Sequence, residues 1–228
     1  MINMNVETEI KNSPHYEIAS YDPNIDNLSE LKKITDSAYQ ANLDFFTKDV
    51  DGIKVNFVYS DNELKEVKES LGMEYQDWNK NLAHKDTVWI SSPHTLKGKD
   101  CQRSVTHEFA HIFTNKLFYG GNPAWLIEGV ANVVADRYAD GVFKSNIKLE
   151  KVHDGLAFQK HPIYGKSTVF TQHLIDEFGK DRLFILLGFI KEKIGTNSTY
   201  DSFTRLFSKI YEASFEKTEE DFMKQGTV

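Results

Sequence analysis

Two histidines and a glutamate occupy one short stretch of the chain, THEFAHIF, from Thr106 to Phe113. If this stretch is helical, His107 and His111 lie one turn apart on the same face. They can then present two imidazole nitrogens to one metal ion, and imidazole is a common ligand of zinc. Glu108 points beside the metal, where its carboxylate can accept a proton from a metal-bound water. The spacing therefore predicts a metal site with its own general base.

The presence of a third ligand would distinguish a metal site from a chance pair of histidines on one helix. A catalytic zinc ion usually has three protein ligands and one open position for water. One arrangement adds a third histidine in the pattern HExxHxxGxxH, but Thr114 and Leu117 occupy the glycine and histidine positions here. A second arrangement takes a glutamate from the following helix. Glu128, in NPAWLIEGVAN, follows His111 after sixteen intervening residues, enough for a turn at Gly120-Gly121 and a returning helix.

The two segments THEFAH and PAWLIEGVAN together resemble the gluzincin branch of zinc metallopeptidases, in which HExxH is followed by W-L-x-E-G-x-A. The chain is most similar to the small bacterial peptidases of the "MA-like" group. The likeness is strongest between Val88 and Asp136, and a looser likeness continues towards the C-terminus. It implies Zn²⁺ as the cofactor, with His107, His111 and Glu128 as its ligands. It also implies that Glu108 is the general base and proton shuttle for peptide-bond hydrolysis by a zinc-activated water.

The resemblance extends to residues that would support the reaction. Peptidases of this kind supply a side chain to the tetrahedral oxyanion, and Tyr164 in HPIYGKST is the candidate that the family implies. His153 and His161, on an expected surface loop, are the alternatives, whereas His173 is expected to be structural. Some gluzincins place an acid one turn after the glutamate ligand, but this chain has Asn132 there.

The elements expected around these residues are those of an α+β fold. Hydrophobic periodicity predicts a helix over 27–46, a strand over 53–59, a short helix closed by Gly72, a strand TVWISS before Pro93, and the zinc helix over 99–117. After GGNP, a helix over 123–140 and further helical stretches follow to residue 225. We expect TVWISS to be either an ordinary sheet strand or an edge strand that pairs with an extended peptide.

This order predicts one zincin-like metallopeptidase domain over residues 1–228, with two lobes around a zinc cleft. Residues 1–26 would be a loosely ordered lead-in. Residues 27–119 would form an upper lobe of helix and small sheet that includes the zinc helix, and residues 120–228 a helical lower lobe. The resemblance implies that Gly129 allows close packing of the second helix and that Trp125 lies between the two helices, but for Trp125 we expect only the role of a core aromatic.

The charge and amino-acid composition limit the kinds of partner that we expect the protein to bind. A net charge of −7 argues against nucleic acid and anionic membranes, and no apolar stretch is long enough to span a bilayer. The lone Cys101 excludes an internal disulfide and is expected to be a small buried residue. The start lacks the features of a signal peptide, so we expect a cytoplasmic protein, or a secreted one if an upstream signal has been removed.

These observations predict a zinc-dependent metallopeptidase that acts on a peptide or protein substrate. Endopeptidase activity is slightly favoured, because nothing in the sequence suggests an anchor for a free amino terminus. Two alternatives stay open: a zinc-binding module of the same fold without catalysis, and a zinc hydrolase of another amide. An intact Glu108 argues against the non-catalytic module, since a structural zinc site needs no base.

Overall fold

The computed structural model describes residues 11–21, 28–75, 81–91, 98–118, 123–136, 147–153, 163–194 and 199–225. The chain divides into two compact units, Met1–Phe113 and Thr114–Val228. The first contains a sheet with helices, and the described elements of the second are all helical. The predicted α+β class, with the strands in the first part of the chain and helices alone in the second, is therefore confirmed.

The described elements of the first unit, in chain order, are β1 (Lys11–Asn12), β2 (Tyr16–Ser20), α1 (Leu28–Phe46), β3 (Ile53–Val58), α2 (Asp61–Ser70), β4 (Asn81–His84), β5 (Thr87–Ser91) and α3 (Gly98–Phe118). The described strands form a five-stranded sheet in the order β1-β2-β3-β5-β4. Strands β2, β3 and β5 are parallel, while β1 and β4 pair antiparallel at the two ends. The parallel pairs need crossover connections, and α1 and α2 lie in these connections.

The local sequence explains the predicted elements of this unit. On β3, Ile53, Val55 and Phe57 alternate into the core and are fully buried. A capping box between Ser60 and Glu63 begins α2. Gly72, with a φ of +71°, follows the end of that helix, in the left-handed conformation that glycine adopts without strain.

One prediction for the first unit is wrong, and a second is decided between its two alternatives. Residues 16–20 are not part of a loose lead-in: they form β2, which pairs with β3 from Tyr16↔Ile53 to Ser20↔Phe57. The strand carries only two large apolar residues, so its stability depends on a partner distant in the sequence. Of the two alternatives for TVWISS, the ordinary sheet strand is confirmed and the edge strand is excluded, because β5 lies between β3 and β4. The other residues of the predicted lead-in lie largely outside the described ranges.

The described part of the second unit consists of helices around an aromatic core. Its described elements are α4 (Ala124–Val134), a 3₁₀ turn (Leu149–Val152), α5 (Tyr164–Phe178), α6 (Lys180–Phe189) with a π-helical end (Ile190–Ile194), α7 (Tyr200–Tyr211) and α8 (Phe215–Gln225). Trp125 is fully buried, and its ring lies 5.6–5.8 Å from those of Phe170, Phe203 and Phe215. The expected role of Trp125 as a core aromatic is thus confirmed.

The helices of this unit end earlier than periodicity predicts. The helix expected over 123–140 ends at Val134, and Asp136 follows with a φ of +51°. The sequence from 198 to 225 has the periodicity of one helical stretch, but it forms two helices. Glu212 adopts the left-handed conformation after α7, and Ser214 accepts a hydrogen bond from the Lys217 N–H at the start of α8. Both breaks fall at non-glycine residues, which carry no strong sequence signal for a stop.

Candidate metal centre

Helix α3 presents two histidines from one face. The Nε2 atoms of His107 and His111 lie 3.1 Å apart, and the two rings are nearly perpendicular, at 85°. Two nitrogen ligands bound at 2.0–2.1 Å to one tetrahedral zinc ion would lie about 3.3–3.4 Å apart. The observed separation is close to that value, so this pair of imidazoles fits a shared metal ion.

Glu128 of α4 completes a group of three. One ligand atom from each of His107, His111 and Glu128 lies within 4.8 Å of the others. Among the described residues, this is the group of histidine, cysteine and acidic side chains that could hold a metal ion. Two imidazoles and one carboxylate are the donor set of a catalytic zinc site, which leaves a fourth position open. The residues that the sequence singled out as ligands are therefore brought together.

Glu108 lies next to the first histidine on α3 and is buried, with 8% of its surface exposed. His107 is buried to a similar extent, at 7%, whereas His111 and Glu128 are half-buried. A carboxylate shielded from bulk water interacts more strongly with neighbouring charges than an exposed one. The position and burial of Glu108 therefore suit a group that exchanges protons close to the metal ligands.

The opposite face of α3 anchors the helix in the first unit. Phe109 and Phe113 each follow a histidine by two positions, about 200° of helical rotation, and both are fully buried. The Phe113 ring lies 5.5 Å from those of Tyr39 and Phe46 on α1, and the Phe109 ring 6.4 Å from that of Tyr39. Burial of these aromatic rings orients the helix so that its histidines face away from this core.

A polar contact adds to this anchoring, and sequence reasoning missed it. The side-chain amide of Asn42, on α1, donates a hydrogen bond of 3.0 Å to the carbonyl of Thr106. That carbonyl belongs to the peptide group that joins Thr106 to His107. The available signal was an asparagine one turn after Ala38, on a face of α1 that is mostly apolar.

Helix α4, which carries Glu128, is held closely within the second unit. A Cβ atom on Gly129 would lie 2.1 Å from Thr171 Oγ1 and 2.6 Å from the Ser167 carbonyl oxygen, both on α5. The two helices therefore approach so closely that only glycine fits, which confirms the predicted role of Gly129. At the start of α4, the Ala124 N–H donates to the His153 carbonyl at 2.9 Å.

The structure bears differently on the three candidates for the oxyanion-stabilising side chain, Tyr164, His153 and His161. Tyr164 is the first residue of α5, as predicted, and is half-buried, while its role at an oxyanion stays a prediction. His153 is not a surface residue: it is buried, with its ring 5.8 Å from Tyr200 and 5.4 Å from Phe203. His161 lies outside the described residues.

Three further residues were expected to have structural or supporting roles. His173 packs its ring 6.1 Å from Phe170, which agrees with the structural role predicted for it. Asn132 is buried on α4. Cys101 is fully buried, as expected, and burial together with the charge of Glu30 raises the pKa of its thiol to about 12. A thiol with such a pKa is protonated at neutral pH, which makes it a poor ligand or nucleophile.

Comparison with known proteins finds no protein family that matches the chain and no characterised protein with significant sequence similarity. None of the described helices combines the length and the apolar composition that a bilayer-spanning segment needs.

Proposed function

We propose that the chain is a zinc metallopeptidase of the gluzincin type with a zincin-like fold, which hydrolyses peptide bonds. The observation that carries this proposal is the convergence of His107, His111 and Glu128 within 4.8 Å, with Glu108 adjacent to the first ligand. A structural zinc site is closed by four protein ligands, whereas three ligands and a neighbouring carboxylate are typical of hydrolytic sites. Endopeptidase activity remains the favoured form.

The residues have distinct roles in this proposal. Zinc, when bound, lowers the pKa of a water ligand towards 7 and polarises the carbonyl that is attacked. His107, His111 and Glu128 hold the ion. Glu108 accepts a proton from the attacking water and returns it to the leaving amine, so that the carboxylate is regenerated in each cycle. Tyr164 would donate a hydrogen bond to the oxyanion.

The sheet offers a site for the main chain of a substrate. Among the described strands, β4 (Asn81–His84) is the last on its side of the sheet, beside β5. An extended peptide can add to such an edge through backbone hydrogen bonds. In our proposal β4 takes the peptide-pairing role that the sequence suggested for TVWISS.

The test compares the zinc-loaded wild type with a Glu108→Gln variant on a peptide library, with cleavage followed by mass spectrometry. Because Glu108 is not a ligand, the variant should bind zinc as the wild type does. Loss of its proton transfer should slow cleavage by about 100-fold or more. The matched control is Asp100→Asn, which removes an exposed carboxylate from the first turn of the same helix and should cleave normally.

The outcomes separate the alternatives. Unchanged cleavage by Glu108→Gln would refute the catalytic role of that residue. A wild-type protein that binds zinc but cleaves no peptide would favour the non-catalytic module, or a hydrolase of another amide if non-peptide amides are turned over. The sequences of the cleaved peptides would also distinguish endopeptidase from exopeptidase action.

A further inference from the structure

A fully buried polar residue lies on the face of α1 that packs in the core. Asn42 is 0% exposed, one turn after the buried Ala38 and one turn before the buried Phe46. Asparagine is a poor residue for the interior of a helix, because its side chain competes for backbone hydrogen bonds. A fully buried asparagine at such a position therefore needs an explanation other than helix stability.

The hydrogen bonds of Asn42 define its orientation. Its Nδ2 donates to the Ala38 carbonyl at 2.9 Å within α1 and to the Thr106 carbonyl at 3.0 Å on α3. Since both partners are acceptors, the nitrogen must face them, and the flipped amide is excluded. Its Oδ1 is buried without a hydrogen-bond partner among the described residues. An unsatisfied buried acceptor is unfavourable for folding, so it offsets part of the stability that the two hydrogen bonds of Asn42 contribute.

The apolar contacts between α1 and α3 do not by themselves fix α3 along and about its axis, and the hydrogen bond from Asn42 does. Rings of Tyr39 and Phe46 pack against Phe113, but apolar packing is largely non-directional. A hydrogen bond weakens steeply when its length or angle departs from the optimum. The bond from Asn42 therefore fixes α3 along and about its axis at Thr106, the residue directly before His107.

We propose that Asn42 is a positioning residue for the metal site: it holds α3 in the orientation in which His107 and His111 share one ion. This inference rests on the proposed function. Metal ligands must be held within about 0.5 Å of their productive geometry by supporting residues. Loss of a group that hydrogen-bonds a ligand directly typically weakens metal binding about 10–100-fold, and because Asn42 contacts the residue before His107, we expect the lower end of that range.

The test uses the full-length protein with Asn42→Ala and Asn42→Ser. Alanine is the best helix former and removes the unsatisfied acceptor. Serine can still bond to the carbonyl one turn earlier in its own helix but is too short to reach Thr106. The matched control is Thr35→Val on the same helix, since Thr35 is also fully buried and its hydroxyl donates to the Leu31 carbonyl, within α1.

Three quantities are measured for each variant. They are the zinc dissociation constant by competition with a chromophoric chelator, the visible spectrum of the Co²⁺-substituted protein, and the midpoint of thermal unfolding without metal. Both Asn42 variants should bind zinc about 10-fold or more weakly and show an altered Co²⁺ spectrum. Their midpoints should stay within about 4 °C of the wild type. Thr35→Val should match the wild type in zinc affinity and spectrum.

Wild-type zinc affinity and an unchanged spectrum in both Asn42 variants would overturn the inference and leave the proposed function intact. A loss of zinc affinity that accompanies a large fall in the unfolding midpoint would also overturn it, because the role would then be structural. A wild-type protein that binds neither zinc nor Co²⁺ would instead refute the proposed function and the inference together.

Discussion

The close approach of α4 and α5 at Gly129 gives a prediction whose magnitude follows from the structure. In Gly129→Ala the new methyl group would lie 2.1 Å from Thr171 Oγ1 and 2.6 Å from the Ser167 carbonyl oxygen. Thr171 can rotate away, but Ser167 contributes a backbone atom. Because real Cβ contacts essentially never fall below 3.0 Å, the helices must separate by about half an ångström. Overpacking of this kind typically costs about 1–3 kcal/mol.

The favourable effects of alanine offset part of that cost. Replacing glycine inside a helix stabilises it by about 1 kcal/mol when the site has room. The steric cost at Gly129 involves two contacts below the limit, so we place it at or above the top of the usual range, about 3 kcal/mol. The net expectation is a loss of about 2 kcal/mol in the free energy of unfolding.

Gly188→Ala is the matched control, because a Cβ atom at Gly188 on α6 would meet nothing within 4 Å. This variant should be neutral or stabilised by up to about 1 kcal/mol. Urea denaturation followed by circular dichroism measures both variants in the same assay. Equal stability of Gly129→Ala and Gly188→Ala would refute the inferred close packing of α4 on α5.

Two further predictions concern the ionisation of buried tyrosines and the stability contributed by a buried ion pair. Burial raises the pKa of Tyr16, Tyr39 and Tyr211 above the model-compound value of 10.0. The neighbouring carboxylates raise it further, Asp36 for Tyr16 and Asp49 for Tyr39. Above pH 10 the unfolded chain therefore loses phenolic protons that the folded chain keeps, and stability should fall with rising pH by about 1.4 kcal/mol per pH unit for each such tyrosine. An alkaline titration measures tyrosine ionisation by near-ultraviolet absorbance and unfolding by circular dichroism. Ionisation of these tyrosines near pH 10 in a chain that stays folded would contradict the prediction. The buried pair of Lys166 and Glu219, 2.5 Å apart, should make Lys166→Met destabilising by about 3–5 kcal/mol. The double change to Met at both positions should recover only part of that loss in urea denaturation, because the Leu149 N–H then loses its acceptor on Glu219.

The parts of the fold that follow local rules could be predicted from the sequence. The helix of THEFAHIF, the strand from Ile53 and the stop at Gly72 each have a periodicity or a residue type that sets them locally. Glu128 was reached through a resemblance, because its spacing from His111 permits a third ligand but does not require one. The structure brings that glutamate to the histidines.

The missed features depend on distant partners or on unusual backbone conformations. Strand β2 is stabilised by pairing with β3, which follows after a whole helix. The β4–β5 hairpin turns at Lys85, with a φ of +54°, where neither glycine nor asparagine marks a turn. The contact of Asn42 with Thr106 joins residues 64 positions apart. Such features emerge from packing, which no short window of sequence encodes.

The zinc content of the purified protein tests the central claim most directly. After loading with zinc and dialysis, elemental analysis should find one zinc ion per wild-type chain. Replacing His107, His111 or Glu128 singly with alanine should reduce that content, whereas Cys101→Ser should not. A wild-type chain that holds no zinc, or alanine variants that hold as much as the wild type, would contradict the assignment of these three residues as the metal ligands.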